Sequence, residues 1–402
     1  MTVSTTATAT DVISELAGIQ PGTALAELRA KRPEATDHAQ GSYSALFDPG
    51  PVGDLSRVER LATGVRVATL HAAGEAPTHY RARLVDAGAS PEVVACAADA
   101  QAAVSQAPRL QAILRHADLL ATAPARARSS DLQALADVGL STRAIVTLSQ
   151  VIAFVSFQVR VVRSLQLLGT PSSADRTPRP QPSHTANETF STAPSSSPDG
   201  PARIIPPDPN LRRPTAFTVD QLEWSAWLQP LDLAHADPKQ AAALEGSRGN
   251  SAYFRLLARD VDVLTERTLT DRGIFYTPGG APRADRELAA AATSRLNGCI
   301  YCASVHARLA AQLGKRPEDI DRLLLKGVTR GTDLGLDDRW QAVVDLAVAL
   351  APTPPVVTRE HVERLRTLGL SDLEILDVAQ AASFFAWANR LMLTLGEPYY
   401  AT

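Results

Sequence analysis

The chain has 402 residues, a formal net charge of −3 and a sequence pI near 6.3. This charge gives no reason to expect nucleic acid or an anionic membrane as a partner. Three cysteines are too few for a disulfide-stapled secreted scaffold. The start of the chain lacks the basic and apolar regions of a signal peptide, and no uncharged apolar run reaches the about 20 residues that span a bilayer. We therefore expect a soluble, cytoplasmic protein, and the length favours two domains.

The first half of the chain is predicted to be a flexible tail over residues 1–21 and a helical domain over residues 22–169. This domain is rich in Ala and Leu, and it has almost no alternation of β-branched residues. Ser90 followed by Pro91 is typical of a helix start, and Ser141 precedes a strongly apolar helix that runs to about Leu168.

Residues 170–210 are mostly Pro, Ser and Thr, with few large apolar side chains. Such a segment buries too little surface to offset the entropy of ordering, so we predict a disordered linker.

Residues 211–402 are predicted to form a second helical domain. The Pro- and Gly-rich segment 278–282 reads as a turn, and a helix follows through Glu287 to about Leu296. Ser371 and Glu374 form a capping box for a long apolar helix that ends near Gly396. Trp224 and Trp227 are interpreted as core anchors or as a patch that faces a partner, rather than as catalytic residues. The predicted fold class is all-α.

The second domain carries Cys299 and Cys302, spaced C-x-x-C, with His306 four residues further on. Asn297 and Gly298 predict a turn, so Cys299 is expected at the N-terminus of a helix that ends at Gly314. On this helix Cys302 and His306 are neighbours, and the stripe through Leu309 and Leu313 is expected to be buried. A helix N-terminus and an imidazole both favour a reactive thiolate, which predicts a redox or nucleophilic thiol site.

The two halves show a weak internal repeat. Gln150, Phe154, Phe157 and Arg160 fall 230 positions before Gln380, Phe384, Trp387 and Arg390. Upstream, we align Glu59 and His79 with Glu287 and His306, while His71 and Gly74 fall near the positions of the two cysteines. The first half thus lacks the thiols, and we expect it to be structural; the alternative is that it binds a ligand through Glu59 and His79.

The pattern of Glu287, Cys299, Cys302 and His306 resembles the alkylhydroperoxidase D-like (AhpD-like) branch of the carboxymuconolactone decarboxylase superfamily. The resemblance covers about residues 252–398, including Asn389 in the final apolar helix, and the first half resembles the same superfamily without cysteines. It implies two tandem AhpD-like helical domains joined by the linker.

Members of this branch are helical, work without a cofactor and reduce hydroperoxides. The resemblance implies that Cys302 is the peroxidatic thiolate and Cys299 the resolving thiol, with His306 and Glu287 as a proton relay. Tyr301, between the cysteines, could donate a proton or simply pack. The implied partners are an organic hydroperoxide, a dithiol reductant (a lipoyl-protein, a thioredoxin-like protein or a small thiol) and further copies of the chain, in a trimer that imitates a hexamer.

Other interpretations remain open at this point. A zinc site would need four ligands, and no second pair of Cys or His residues accompanies the first. The cysteines could also be inert, as we expect for Cys96 in the first half. A decarboxylase-like enzyme would work without the thiols, and a redox sensor or scaffold would use the disulfide to switch binding.

Overall fold

In the computed structural model the described residues are 11–50, 52–99, 107–169 and 200–401. Almost all regular structure in them is helical, which confirms the predicted all-α class; the exception is one two-stranded antiparallel sheet.

The first half consists of nine helices in the described residues. They are α1 (Val12–Ala17), α2 (Ala24–Ala30), α3 (Pro33–Phe47), α4 (Arg57–Leu70), α5 (Ala76–Asp86), α6 (Pro91–Ala98), α7 (Pro108–Thr122), α8 (Ser129–Ala136) and α9 (Thr142–Leu168). A 3₁₀ turn, Pro124–Arg126, follows α7.

The second half begins with an extended segment and ends with a strand that pairs with it. Its elements are β1 (Leu222–Ala226), α10 (Pro238–Ala243), α11 (Ala252–Leu257), α12 (Val261–Phe275), α13 (Arg283–Leu296), α14 (Ile300–Gly314), α15 (Pro317–Lys326), α16 (Asp338–Leu350), α17 (Arg359–Thr367), α18 (Asp372–Thr394) and β2 (Gly396–Tyr400). Short 3₁₀ turns lie at Leu233–His235, Gly246–Asn250 and Ala258–Asp260.

The helices begin where the sequence predicted, and side-chain hydrogen bonds cap their N-termini. The hydroxyls of Ser90 and Ser141 accept from backbone N–H groups in the first turns of α6 and α9. Ser371 and Glu374 form the predicted capping box of α18. These bonds satisfy N–H groups that have no partner inside the helix, so the helices begin at these residues.

The two halves pack against each other through matched helices. Helix α3 lies along α12, and α9 lies along α18. At the second contact the Phe154 ring meets Trp387 edge-on with centroids 5.2 Å apart, and Trp387 Nε1 donates to Gln150 Oε1 at 2.7 Å. The long apolar helices of the two halves therefore share one core.

Two pairs of buried arginines repeat the same bonds in each half. Arg60 and Arg286 are each the fourth residue of their helix, and each guanidinium donates to carbonyl oxygens in the segment that enters that helix. Arg160 Nη2 donates to the Ala351 carbonyl at 2.7 Å, and Arg390 Nη2 donates to the Ala121 carbonyl at 2.7 Å. The repeat seen in the sequence is thus also a repeat of hydrogen bonds, and the second pair crosses between the halves.

Two expectations, for the predicted tail and the predicted linker, are revised. Residues 11–21 were predicted as tail, but they include α1, whose Ile13 and Leu16 are buried and whose N-cap Asp11 pairs with Arg29 at 2.6 Å. Residues 1–10 and 170–199 lie outside the described residues. Residues 200–210 of the predicted linker are described, and Ile204 pairs with Leu228 in an isolated β-bridge.

Trp224 and Trp227 are buried, as predicted for core anchors, but Trp224 lies in strand β1. The pairing of β1 with β2 joins Leu222 to Tyr400, a contact that local sequence patterns do not reveal.

Helix α9 is long and apolar enough to cross a membrane and is the one such helix among the described residues. Its entire apolar stretch is buried inside the fold, so it is the central core helix of a globular protein.

Candidate active site

The candidate site is organised by the turn between α13 and α14. Gly298 has a φ of +81°, a conformation that glycine adopts without strain. It lets Cys299 become the N-cap of α14, with its N–H donating to the Ser294 carbonyl at 2.9 Å. The 3₁₀ turn of the first half packs over this point, because a Cβ on Gly298 would lie 3.0 Å from Ala125 Cβ. The predicted position of Cys299 at the helix N-terminus is confirmed.

The buried face of α14 differs from the one predicted. Ala303, Ala307 and Ala310 are fully buried, whereas Leu313 is 51% exposed. The stripe of the cysteines therefore runs along the edge of the buried face. The small alanine side chains allow α14 to pack closely on α13.

Both site cysteines are buried, with 2% and 5% of their surface exposed for Cys299 and Cys302. The Cys299 thiol is hydrogen-bonded to Cys302 and to the side chain of Asn389. Burial, followed by the contact with Cys302, holds the pKa of Cys299 well above its ordinary value. Cys299 is therefore a neutral thiol at neutral pH, directly beside the Cys302 sulfur.

His306 is held by a carboxylate on the adjacent helix. Its Nδ1 donates to Glu287 Oε2 at 2.5 Å, and Glu287 is fully buried. Arg283 Nε donates to the other oxygen, Oε1, also at 2.5 Å. Burial alone would raise the pKa of Glu287, but the bond and charge of His306, together with Arg283, lower it, so the group is an anion.

These bonds fix the imidazole. With Nδ1 committed to Glu287, the free ring nitrogen of His306 is Nε2. Cys302 and His306 are four residues apart on α14, the spacing at which side chains on a helix are neighbours. The four residues predicted from the sequence are thus brought into one cluster by α13 and α14.

Aromatic rings enclose the imidazole. Phe385 meets it edge-on with centroids 4.1 Å apart, and the Phe275 ring lies 6.0 Å away. Glu287 is fully buried and the His306 side chain is 17% exposed, so the pair lies in a partly desolvated environment, where a low local dielectric strengthens the interaction.

Sequence reasoning gave no role to four residues around the cluster. Asn389 Nδ2 donates to Ser294 Oγ at 3.0 Å, while Arg283 holds Glu287. Burial raises the pKa of Asp271, although the charges of Arg267 and His306 act to lower it. Burial also raises the pKa of Tyr253, and the two cysteines contribute to that shift. Asn389 entered only through the resemblance; Asp271 and Tyr253 lie on α12 and α11 and gave no local signal.

A small pocket of about 180 Å³ reaches Cys299 from outside. Tyr301 and Met392 line it, and its rim carries the ion pair between Arg213 and Glu397. The pKa of Tyr301 is raised, chiefly by burial, so its phenol stays protonated beside the thiols. The structure places Tyr301 in this pocket.

The first half does not repeat the site in the way the sequence alignment suggested. Arg60 and Arg286 occupy equivalent positions, so the residue before each, Glu59 and Asp285, is also equivalent. Their ion pairs agree: Glu59 accepts from Arg109, and Asp285 accepts from Arg339. The counterpart of Glu287 is therefore Leu61. Glu59 does not keep a site position.

The histidines of the first half are displaced as well. His79 Nε2 is hydrogen-bonded to Tyr43, and Tyr80 packs on Phe47 where His306 packs on Phe275. His71 is the C-cap of α4, as Asn297 is of α13, so the cysteine position falls near Ala73 rather than at His71. The counterparts of the site residues in the first half therefore include neither a thiol nor an imidazole.

Among the described residues no group of three or more His, Cys, Asp or Glu side chains is arranged to hold a metal ion.

The segment that carries the site also matches a known protein family. A model of the carboxymuconolactone decarboxylase family matches residues 262–333, the segment from α12 to the loop after α15. It includes Glu287, Cys299, Cys302 and His306. This segment is similar to the carboxymuconolactone decarboxylase family.

Two solved structures are similar to part of this chain. One is an uncharacterised peroxidase-related protein from Silicibacter sp. TM1040, with 22% identity and a TM-score of 0.34, covering 42% of this chain and 92% of its own. The other is an alkylhydroperoxidase AhpD core, an uncharacterised peroxidase-related protein from Ralstonia eutropha JMP134. It has 22% identity and a TM-score of 0.35, and the match covers 42% of this chain and 88% of that protein. Scores this low support no conclusion about activity. A comparison with curated proteins finds no match.

Proposed function

We propose that this protein is a thiol-dependent peroxidase whose activity resides in residues 211–402. The observation that carries the proposal is the contact of two buried thiols, Cys299 and Cys302, beside an imidazole held by a buried carboxylate. The similarity of residues 262–333 to the carboxymuconolactone decarboxylase family supports it.

In the first step the Cys302 thiolate attacks one peroxide oxygen. The O–O bond breaks, Cys302 becomes a sulfenic acid, and the substrate leaves as an alkoxide. Cys302 is assigned this role because His306 is its neighbour one turn away, whereas Cys299 is held as a neutral thiol.

The leaving alkoxide takes a proton from His306 Nε2. Glu287 accepts from Nδ1 and stabilises the charged imidazole before the transfer. Arg283, in turn, holds the second carboxylate oxygen, so that Glu287 remains anionic and oriented. His306 becomes an acid again when it takes the proton of the Cys302 thiol, which forms the attacking thiolate of the next cycle.

In the second step Cys299 attacks the sulfenic sulfur, water leaves, and a Cys299–Cys302 disulfide forms. An external dithiol then reduces the disulfide by exchange. The pocket at Cys299 suggests that this sulfur is the one the reductant reaches. The aromatic surroundings of His306 favour organic hydroperoxides over hydrogen peroxide.

We further propose that the first half is a degenerate twin that supports the second. It matches the second half in the hydrogen bonds from Arg60 and Arg286 to backbone carbonyl oxygens. Apolar residues such as Leu61 and Ala73 occupy the positions that correspond to the site. Its 3₁₀ turn packs, through Ala125, against Gly298 in the turn before Cys299.

The proposal is tested by turnover of cumene hydroperoxide with a dithiol as reductant. Cys302→Ser is expected to abolish turnover. Cys299→Ser is expected to react once and to accumulate a sulfenic acid on Cys302, detected by trapping and mass spectrometry. Cys96→Ala is the matched control, since this cysteine is buried in the first half. Full turnover by Cys302→Ser would contradict the role assignment.

The family name raises a second candidate, a decarboxylase that does not need the thiols. Turnover of carboxymuconolactone that survives in the Cys299→Ser, Cys302→Ser double variant would favour it over the peroxidase.

A further inference from the structure

A cleft of about 630 Å³ lies at the junction of the two halves. Its walls come from α3 and the start of α9 in the first half, and from α10, α12 and the 3₁₀ turn Gly246–Asn250 in the second. None of the four proposed site residues lines it. The volume is within the about 300–1,000 Å³ of small-molecule sites.

The acidic side chains of the cleft already have partners. Asp48 accepts from Arg57 and Arg83, Asp262 accepts from Lys239 at 2.5 Å, and Glu266 is bonded to His38 at 2.8 Å. The remaining acid is buried: Asp260 accepts from the Thr147 hydroxyl. Asp48 and Asp262 are therefore paired with cations, Glu266 is bonded to His38, and Asp260 lies near the guanidinium of Arg60.

Three arginines of the cleft are in the opposite situation. The guanidinium groups of Arg143, Arg248 and Arg272 make no hydrogen bond or ion pair with any described residue of the chain. Arg143 and Arg248 are half-buried, and the Nε atom of Arg248 is fully buried without an acceptor. A buried donor without an acceptor is costly, and such groups are normally satisfied.

A fourth arginine lies at the floor of the cleft. Arg60 is buried there, and its donors are taken up by carbonyl oxygens of Leu55, Leu46 and Val52. Burial lowers the pKa of Arg60 to about 10; the nearby Asp260 carboxylate opposes this shift, and Arg143 adds to it. Arg60 is still protonated at neutral pH, so two guanidinium groups lie close together at one end of the cleft.

We propose that this cleft is a binding site for a small organic anion whose carboxylate or phosphate oxygens are held by Arg143 and Arg248, with Arg272 at the rim. A guanidinium presents paired N–H donors that match such oxygens, and the match is strongest where water is partly excluded. The apolar side chains of Ala45, Ala243 and Leu269 leave room for the carbon frame of the ligand.

The experiment is a calorimetric titration of the full-length protein at constant ionic strength. Citrate represents carboxylates and pyrophosphate represents phosphates. Arg143→Gln and Arg248→Gln each remove one cleft guanidinium. Arg81→Gln is the matched control, because Arg81 is an exposed arginine on α5 that does not line the cleft. Thermal unfolding without added anion identifies any variant that fails to fold, and the other cleft variant then carries the test.

The proposal predicts one saturable site in the wild-type and Arg81→Gln proteins, weakened about tenfold or more in each folded cleft variant. Binding of citrate alone would assign carboxylates, and binding of pyrophosphate alone would assign phosphates. The proposal is overturned if neither probe gives saturable binding, or if both cleft variants retain the wild-type affinity. The readout is binding, so it is independent of peroxide turnover.

Discussion

Glu287 Oε2 accepts from His306 Nδ1 at 2.5 Å, across the gap between α13 and α14. The two residues are nineteen positions apart in sequence, and both lie in the segment that matches the superfamily. This bond determines which ring nitrogen of His306 is available beside Cys302. The proposed proton transfer therefore depends on a residue that does not itself touch the peroxide.

Replacing Glu287 with glutamine should slow turnover without removing the thiols. A neutral amide at this position cannot carry the charge that stabilises the imidazolium, so we expect kcat/KM for cumene hydroperoxide to fall about 100-fold. Steady-state kinetics measure this. Glu363→Gln, an exposed acid paired with Arg366, is the control. An unchanged kcat/KM in Glu287→Gln would remove Glu287 from the relay.

The same carboxylate makes stability depend on acid pH. Burial would raise the pKa of Glu287, but His306 and Arg283 outweigh it, and the pKa in the folded protein is below the ordinary 4.5. Its stabilising contribution is therefore complete above 4.5 and is lost as the pH falls through the lowered value. Urea unfolding from about pH 6 to pH 3 should show a steeper loss of unfolding free energy in wild type than in Glu287→Gln. Equal slopes would show that Glu287 is not stabilised as an anion.

Local features of the site were predictable and long-range ones were not. Asn297 and Gly298 signalled the turn, and the spacing of Cys302 and His306 placed them one helix turn apart. Asn389 reaches the Cys299 thiol from α18, almost a hundred residues away, and no local pattern marks it.

The internal repeat shows the same limit. The sequence matched the helices that carry Arg160 and Arg390, because their long apolar stretches align without a gap. The sequence alignment wrongly matched Glu59 with Glu287. The correct alignment follows from the hydrogen bonds of Arg60 to backbone carbonyl oxygens, which only the folded structure shows. The sheet was missed because residues 222–226 pair only with residues 396–400.

The rim of the Cys299 pocket should limit access to this thiol. Arg213 donates to Glu397 at 2.7 and 2.8 Å, and this ion pair joins the segment before β1 to β2. Glu397→Gln should speed alkylation of Cys299 by a bulky maleimide about threefold, a modest effect because the pair is partly exposed. The rate is measured by mass spectrometry in a Cys96→Ala, Cys302→Ser background. Tyr399→Phe, which removes a bond to Glu223 on the same sheet, is the control. Equal rates in both variants would show that the ion pair does not limit access.

Arg160 should be central to the contact between the halves. It is fully buried and donates to carbonyl oxygens of Leu350, Ala351 and Pro352. Arg160→Met would leave these acceptors without a donor, and we expect it to lower the unfolding free energy by about 3–5 kcal/mol. Urea denaturation measures the change.

Arg163→Met is the matched control, because Arg163 is exposed on the same helix and makes only one long contact, 3.4 Å to the Val357 carbonyl. It should cost less than about 1 kcal/mol. Similar losses in the two variants would contradict the role given to Arg160.

The central claim is that Cys299 and Cys302 are a redox couple. Free thiols are counted in wild type and in Cys96→Ala, before and after one equivalent of cumene hydroperoxide. The account predicts that both proteins lose two thiols per chain and regain them with a dithiol. If neither protein loses thiols, the proposed peroxidase chemistry is wrong.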